Sequence, residues 1–146
     1  MPTRNARTTW HGSLQDGSGQ VELSSSKLAT FDVSFPKRTA DDADGSTSPE
    51  ELIAAAHSSC FAMQLSGNIA RAGGTTKTLD VHAAVELGPD KERGGFMLTG
   101  IRLTVRGDIE DLDDDGFVAA AQAAKEGCPV SKALAAVDIS LDASLY

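Results

Sequence analysis

The sequence is short of cations, of long apolar runs and of cysteine. Acidic residues outnumber basic ones by 21 to 13, and the resulting net charge of −8 disfavours nucleic acid and anionic membranes as partners. Polar side chains such as His57 and Gln64 interrupt the most apolar segment, so no stretch is long enough to span a membrane. The polar, basic start does not resemble a signal peptide, and we expect a cytoplasmic protein.

Only two cysteines, Cys60 and Cys128, occur among the 146 residues. In a reducing compartment, two cysteines are more often redox-active or core residues than a structural bridge. His57 and Cys60 lie three residues apart without a second ligand pair, so we expect His57 to pack or hydrogen-bond beside Cys60 rather than bind zinc. The acidic run from Asp111 to Asp115 lacks the EF-hand spacing. We therefore expect no metal and no other cofactor.

The length and an apolar fraction of 40% predict one globular domain, residues 1–146. Alternation of apolar and polar residues predicts strands at 8–14, 20–23, 29–35, 79–87, 101–106 and 137–142. Helices are predicted from Ser48 to about Ala72, at 117–125 and at 130–135, and a surface loop at 37–47. This order indicates an α+β fold with a mostly antiparallel sheet.

The longest predicted helix organises the rest of the chain. Ser48 suits the N-cap and Pro49 the first helical position, and Glu50 lies where the helix dipole favours negative charge. Within this predicted helix no Lys or Arg occurs before Arg71, which predicts a helix buried on all faces. Because a sheet of few strands cannot surround such a helix, we expect a homodimer with the central helices at its heart.

Cys60 lies in the middle of this helix and has two interpretations. A buried cysteine is most often a small core residue with a raised pKa, and reactivity requires a nearby cation. Arg38 precedes the helix, and Glu50 is able to fix its guanidinium by a bidentate pair. Glu50 and Cys60 are about 15 Å apart along a straight helix. Either the helix bends near residues 54–56, or a second subunit supplies part of the site.

Cys128 lies between Gly127 and Pro129, at the predicted start of a short helix. That position lowers the pKa of a thiol and suits a thiol that condenses with another. A core cysteine is the alternative interpretation.

The segments Ser48–Met63 and Gly127–Leu134, together with Thr9-Trp-His-Gly12, closely resemble the OsmC/Ohr family of thiol peroxidases, and the OsmC branch in particular. The resemblance implies an antiparallel sheet around a long buried central helix in an intertwined homodimer. It also implies an antioxidant enzyme of the stress response that reduces organic hydroperoxides, and hydrogen peroxide less well.

Carried over by motif, Cys60 is the peroxidatic cysteine and Cys128 the resolving one. Glu50 is the carboxylate that holds an arginine, for which Arg38 is the candidate, and the Arg38 charge is expected to lower the pKa of Cys60. The resemblance implies a Cys60 sulfenic acid and then a Cys60–Cys128 disulfide, which an external dithiol reopens; the family suggests a lipoyl-type dithiol.

Two other interpretations stay open. One is a non-catalytic dimeric module that binds a small molecule in an apolar pocket, with structural cysteines as passive lining. The other is a stabilising disulfide between Cys60 and Cys128. An assay of organic hydroperoxide consumption with a small dithiol separates all three.

Overall fold

The first 49 residues form a compact unit around a three-stranded antiparallel sheet, in a computed structural model that describes all residues, 1–146. Its strands, in spatial order, are β1 (Arg7–His11), β2 (Ser18–Glu22) and β3 (Thr30–Val33). Trp10 pairs with Gly19, where a side-chain Cβ would lie 2.9 Å from the indole ring. The glycine therefore allows the ring to lie across β2. Trp10 and Phe31 both remain exposed.

The segment after β3 was predicted as the end of a strand, to residue 35, and a surface loop from residue 37, but it begins with a helix. A short helix, α1 (Phe35–Arg38), follows the strand directly. The Ser34 hydroxyl accepts a hydrogen bond from the Lys37 N–H at 3.4 Å, and Pro36 lies in the first turn. Since proline suits the first turn of a helix as well as it ends a strand, Pro36 starts α1 here. The Lys37 ammonium then binds the Asp44 carboxylate at 3.0 Å and orders the following loop.

The second compact unit, Glu50–Tyr146, contains a second three-stranded sheet. Its elements are the helix α2 (Pro49–Arg71, which begins one residue earlier), β4 (Thr75–Pro89), β5 (Phe96–Glu110), α3 (Asp114–Gly127), α4 (Pro129–Ala133) and β6 (Ile139–Leu145). β4 and β5 are antiparallel, whereas β6 lies parallel to β5. The α+β class and the mostly antiparallel pairing are confirmed, although in two sheets. The single domain at 1–146 stays a prediction.

The predicted elements of this unit are present, with longer strands. β4 and β5 extend well past the alternating apolar residues, because backbone pairing continues through their polar ends. The acidic run starts α3, three residues before the predicted helix start: the Asp113 carboxylate caps the helix and accepts the Gly116 N–H at 2.8 Å. β6 begins later than predicted, because Val137 still belongs to the turn after α4 and donates its N–H to the Leu134 carbonyl at 2.9 Å.

The core of this unit lies between α2, α3 and β5. Its buried side chains are Phe61, Leu65, Ile69, Leu103, Val105, Phe117, Ala120, Ala121 and Ala124. The α2 members recur every four residues and thus share one face of the helix. Asn68, on the same helix, donates from its amide to the Ala120 carbonyl at 3.2 Å and joins α2 to α3.

In the single chain, α2 is buried along one face only. The prediction of a helix buried on all faces therefore does not hold for one chain alone. The exposed residues of the opposite face are Ala55, Ala56, Ser59, Met63, Ser66 and Ala70. One sheet and α3 cover one side of a helix and leave the other side uncovered. None of the helices combines the length and apolarity that crossing a membrane requires.

Candidate active site

Two helices bring the two cysteines into contact. Cys60 lies at the middle of α2, and Cys128 is the residue between α3 and α4, where it occupies the N-cap position of α4. Their sulfur atoms are 2.9 Å apart, and both are free thiols. Since a disulfide bond is ~2.05 Å long, an approach of less than about 1 Å would join them. The site therefore needs no large rearrangement to form a disulfide.

The two thiols differ in exposure. Cys128 is fully buried, whereas Cys60 is partly exposed. Of the two residues, Cys60 is therefore the more accessible to a solute.

The two thiols also differ in pKa. Burial raises the pKa of Cys60, and the contact with Cys128 raises it further, against the opposing effect of the Val130 backbone N–H. Burial also acts to raise the pKa of Cys128, but the contact with the Cys60 sulfur and hydrogen bonds from two backbone N–H groups and the Ser131 hydroxyl favour its thiolate. The pKa of Cys128 is consequently lowered, whereas that of Cys60 is raised.

This direction is opposite to the expectation that Arg38 lowers the pKa of Cys60. The prediction gave most weight to the positive charge of Arg38. In the structure, burial of the thiol and the adjacent Cys128 sulfur determine the direction of the Cys60 pKa. A nucleophilic Cys60 thus requires positive charge near its sulfur.

A buried polar pair adjoins the cysteines. His57, one helical turn before Cys60 on α2, lies 2.7 Å through its Nε2 from the Ser131 hydroxyl on α4. His57 is fully buried and Ser131 is 5% exposed. Burial lowers the pKa of His57, so the imidazole is neutral at physiological pH. The expectation that His57 hydrogen-bonds beside Cys60 is confirmed.

Ser131 is the residue that the sequence interpretation missed. Its signal was its spacing: it lies three residues after Cys128, which is the distance from an N-cap to the N3 position of a helix. Residues at these two positions are neighbours at the start of a helix. The signal is weak because cysteine is not one of the usual capping residues.

The two charged candidates lie in different units of the chain. Glu50 is in the first turn of α2 and is only 7% exposed, which is unusual for a carboxylate. Arg38 is partly buried and is the last residue of α1, in the first unit. Helix α2 continues without a break from Glu50 to Cys60, which leaves the two about 15 Å apart along its axis.

Comparison with known proteins gives this arrangement a context. The family model described as OsmC-like protein matches residues 41–142. This chain belongs to the OsmC family. It is 37% identical over 142 residues to the peroxiredoxin OsmC of Escherichia coli strain K12. The alignment covers 97% of this chain and 96% of that protein. The organic hydroperoxide resistance protein OhrB of Bacillus subtilis strain 168 is 33% identical, over 77% of this chain and 79% of the relative.

Solved OsmC-family structures share the fold. An organic hydroperoxide resistance protein from Elizabethkingia anophelis superposes with a TM-score of 0.80 at 29% identity, over 100% of this chain and 98% of that one. The OsmC family match spans Glu50, Cys60 and Cys128, whereas Arg38 precedes it. The role of Arg38 stays a prediction, based on its place in the sequence shortly before α2.

Proposed function

We propose that this chain is a cysteine-dependent peroxidase that reduces organic hydroperoxides, and more weakly hydrogen peroxide, to alcohols and water. The single observation that carries the proposal is the 2.9 Å contact between Cys60 and Cys128 in an OsmC-family chain. Two thiols at this distance form a disulfide after one of them is oxidised. Relatives named peroxiredoxin OsmC and organic hydroperoxide resistance protein support the same activity.

Cys60 is the peroxidatic residue in this proposal, because it is the more exposed of the two cysteines. The Cys60 thiolate attacks one oxygen of the peroxide, the O–O bond breaks, and the alkoxide takes up a proton and leaves as an alcohol. Cys60 is oxidised to a sulfenic acid. Cys60 must lose its proton before the attack, because the thiolate is the nucleophile.

Cys128 is the resolving residue. Its thiolate attacks the Cys60 sulfur, the S–S bond forms, and the S–O bond of the sulfenic acid breaks as hydroxide leaves and becomes water. An external dithiol then reduces the disulfide by two exchange steps and is itself oxidised to a disulfide. We propose a lipoyl-type dithiol as this reductant. A cytoplasmic location stays a prediction.

Arg38 and Glu50 complete the proposed site. A guanidinium near Cys60 would oppose the burial that raises the pKa of this thiol, and would donate hydrogen bonds to the peroxide. Glu50, as a nearly buried carboxylate, is suited to hold a guanidinium in a bidentate pair. Because about 15 Å of helix separates Glu50 from Cys60, we propose that a second copy of the chain contributes to each site.

The surface of the chain supports a homodimer. The exposed face of α2 carries small and apolar residues, with Met63 72% exposed at its middle. The first sheet exposes the aromatic side chains of Trp10 and Phe31. Apolar groups of this kind usually lie against a partner, and a second copy of the same chain is the partner that we propose.

The decisive experiment measures consumption of an organic hydroperoxide with a small dithiol as reductant. The parent protein should turn over, and Cys60→Ser should consume none. Cys128→Ser should consume about one equivalent per chain and then stall, with Cys60 open to overoxidation. Full steady-state activity of Cys128→Ser would remove its resolving role. No consumption by the parent would favour a binding module or a structural disulfide.

A further inference from the structure

The hydrogen bond between His57 and Ser131 has no part in the steps proposed above. It joins α2 to α4 across 74 residues of sequence, at the point where those helices bring the cysteines together. Burial of two polar side chains is costly unless their hydrogen bonds are satisfied. A purely apolar pair would fill the same space at lower cost, so the pair calls for a functional explanation.

The hydrogen bonds of the pair have two possible directions. A neutral imidazole carries one N–H. If His57 carried it on Nδ1, that buried atom would be a donor without an acceptor, since Nδ1 has no hydrogen-bond partner. The Ser131 hydroxyl would then have to donate to Nε2 and would be lost to Cys128.

The other direction satisfies more groups. With its proton on Nε2, His57 donates to the Ser131 oxygen at 2.7 Å. The Ser131 hydroxyl keeps its own proton and donates it to the Cys128 sulfur, which its N3 position brings close. Only the Nδ1 lone pair is left without a partner. The chain of donors then runs from His57 through Ser131 to Cys128, which contacts Cys60.

We propose that His57 is a positioning residue that orients the Ser131 hydroxyl so that it donates to Cys128 and prepares this sulfur for attack on oxidised Cys60. The inference rests on the proposed function, since it assigns the resolving step to Cys128. A hydroxyl donor stabilises the thiolate that forms the S–S bond. Neither residue exchanges electrons with the peroxide, so their loss should slow disulfide formation more than oxidation of Cys60.

The first test titrates Cys128 in the absence of any peroxide. In a Cys60→Ser background only one thiol remains, and its thiolate absorbs in the ultraviolet. Ser131→Ala and His57→Phe should each raise the pKa of Cys128 by about 1, because a hydrogen bond to a charged group has been lost. His57→Gln retains an amide N–H near the position of Nε2 and should restore most of the change. Ser140→Ala removes a hydroxyl from exposed Ser140 and should change nothing.

The second test follows the two oxidation steps separately with Cys60 present. After a pulse of organic hydroperoxide, His57→Phe should form the disulfide about threefold more slowly, because the smaller thiolate fraction is partly offset by the higher nucleophilicity of a more basic thiolate. Formation of the sulfenic acid should change less than formation of the disulfide.

An unchanged pKa of Cys128 in both His57→Phe and Ser131→Ala would overturn the inference. Failure of His57→Gln to restore the pKa of Cys128 would also overturn the inference, since the pKa change in His57→Phe would then come from altered packing. If the variants change the pKa of Cys128 as expected but the parent does not consume peroxide, the proposed function is overturned. The series of hydrogen bonds from His57 through Ser131 to Cys128 would still stand.

Discussion

Cys60 presents a conflict between its proposed role and its surroundings in one chain. A nucleophile needs a thiolate, yet burial and the Cys128 sulfur raise the pKa of Cys60. The conflict is resolved if positive charge acts on Cys60 in the assembled site. Arg38 is the candidate, and its contribution is directly measurable.

We expect Arg38→Ala to lower the second-order rate of Cys60 oxidation by organic hydroperoxide by about 10²-fold, the size of effect found when one charge-stabilising donor is removed. Arg38→Lys should retain part of the rate, because it keeps the charge without the planar guanidinium. The measurement is stopped-flow oxidation of the reduced protein. Arg93→Ala, at an exposed residue of the turn between β4 and β5, is the control. Equal rates in Arg38→Ala and Arg93→Ala would exclude Arg38 from the site.

His57 makes stability depend on pH. Burial lowers its pKa in the folded state, whereas an unfolded histidine titrates near ~6.5. Below that pH the unfolded chain binds a proton that the folded chain resists, so the free energy of unfolding falls as pH decreases. The His57 contribution is complete above about pH 6.5 and falls by up to about 1.4 kcal/mol at about pH 5.5.

Urea unfolding of reduced protein at about pH 7.5 and about pH 5.5 measures this loss. The matched variant is His57→Gln, which fills the site with a side chain that does not titrate. The acid-induced decrease should be smaller in the variant than in the parent. An equal decrease in both would mean that other groups account for it.

At the scale of elements, the packing of α3 on β5 depends on a missing side chain. Phe117 is fully buried, and its ring edge lies 2.9 Å from the position that a Cβ on Gly107 would occupy. No methyl group fits at this distance without a shift of a tightly packed ring. Gly100, on the same strand, has only the Asp138 carbonyl near the equivalent position, at 3.9 Å.

Gly107→Ala should therefore decrease the free energy of unfolding by about 1–3 kcal/mol, the usual range for overpacking a core. Gly100→Ala should leave it nearly unchanged. Chemical denaturation of both variants gives the comparison. If the two substitutions were equally tolerated, α3 would not pack against β5 as described.

For the whole molecule, the uncovered face of α2 leads to a prediction about assembly. The parent should have twice the 15.2 kDa mass of one chain by light scattering after size-exclusion chromatography. Met63→Lys adds a charge at the centre of the exposed face and should increase the monomer fraction and reduce peroxidase activity. Ala119→Lys, on the exposed side of α3, should do neither. A monomeric parent with full activity would contradict the shared site.

Local patterns in the sequence were sufficient for the main elements of the fold. The bounds of α2, Pro49 to Arg71, agree with the predicted Ser48 to about Ala72, because a proline start and a Gly73-Gly74 stop act through the backbone of a few neighbouring residues. Alternating apolar residues located the strands for the same reason. The two cysteines were identifiable as candidates from their local motifs.

Long-range packing accounts for what the patterns missed. Contact of Cys60 with Cys128 crosses 68 residues, and the hydrogen bond of His57 with Ser131 crosses 74. The direction in which the pKa of each thiol moves follows from burial and neighbouring donors, and neither is encoded in the residues next to a cysteine in sequence. Likewise, one face of α2 is buried and the other is not, because coverage depends on which distant segments pack against the helix.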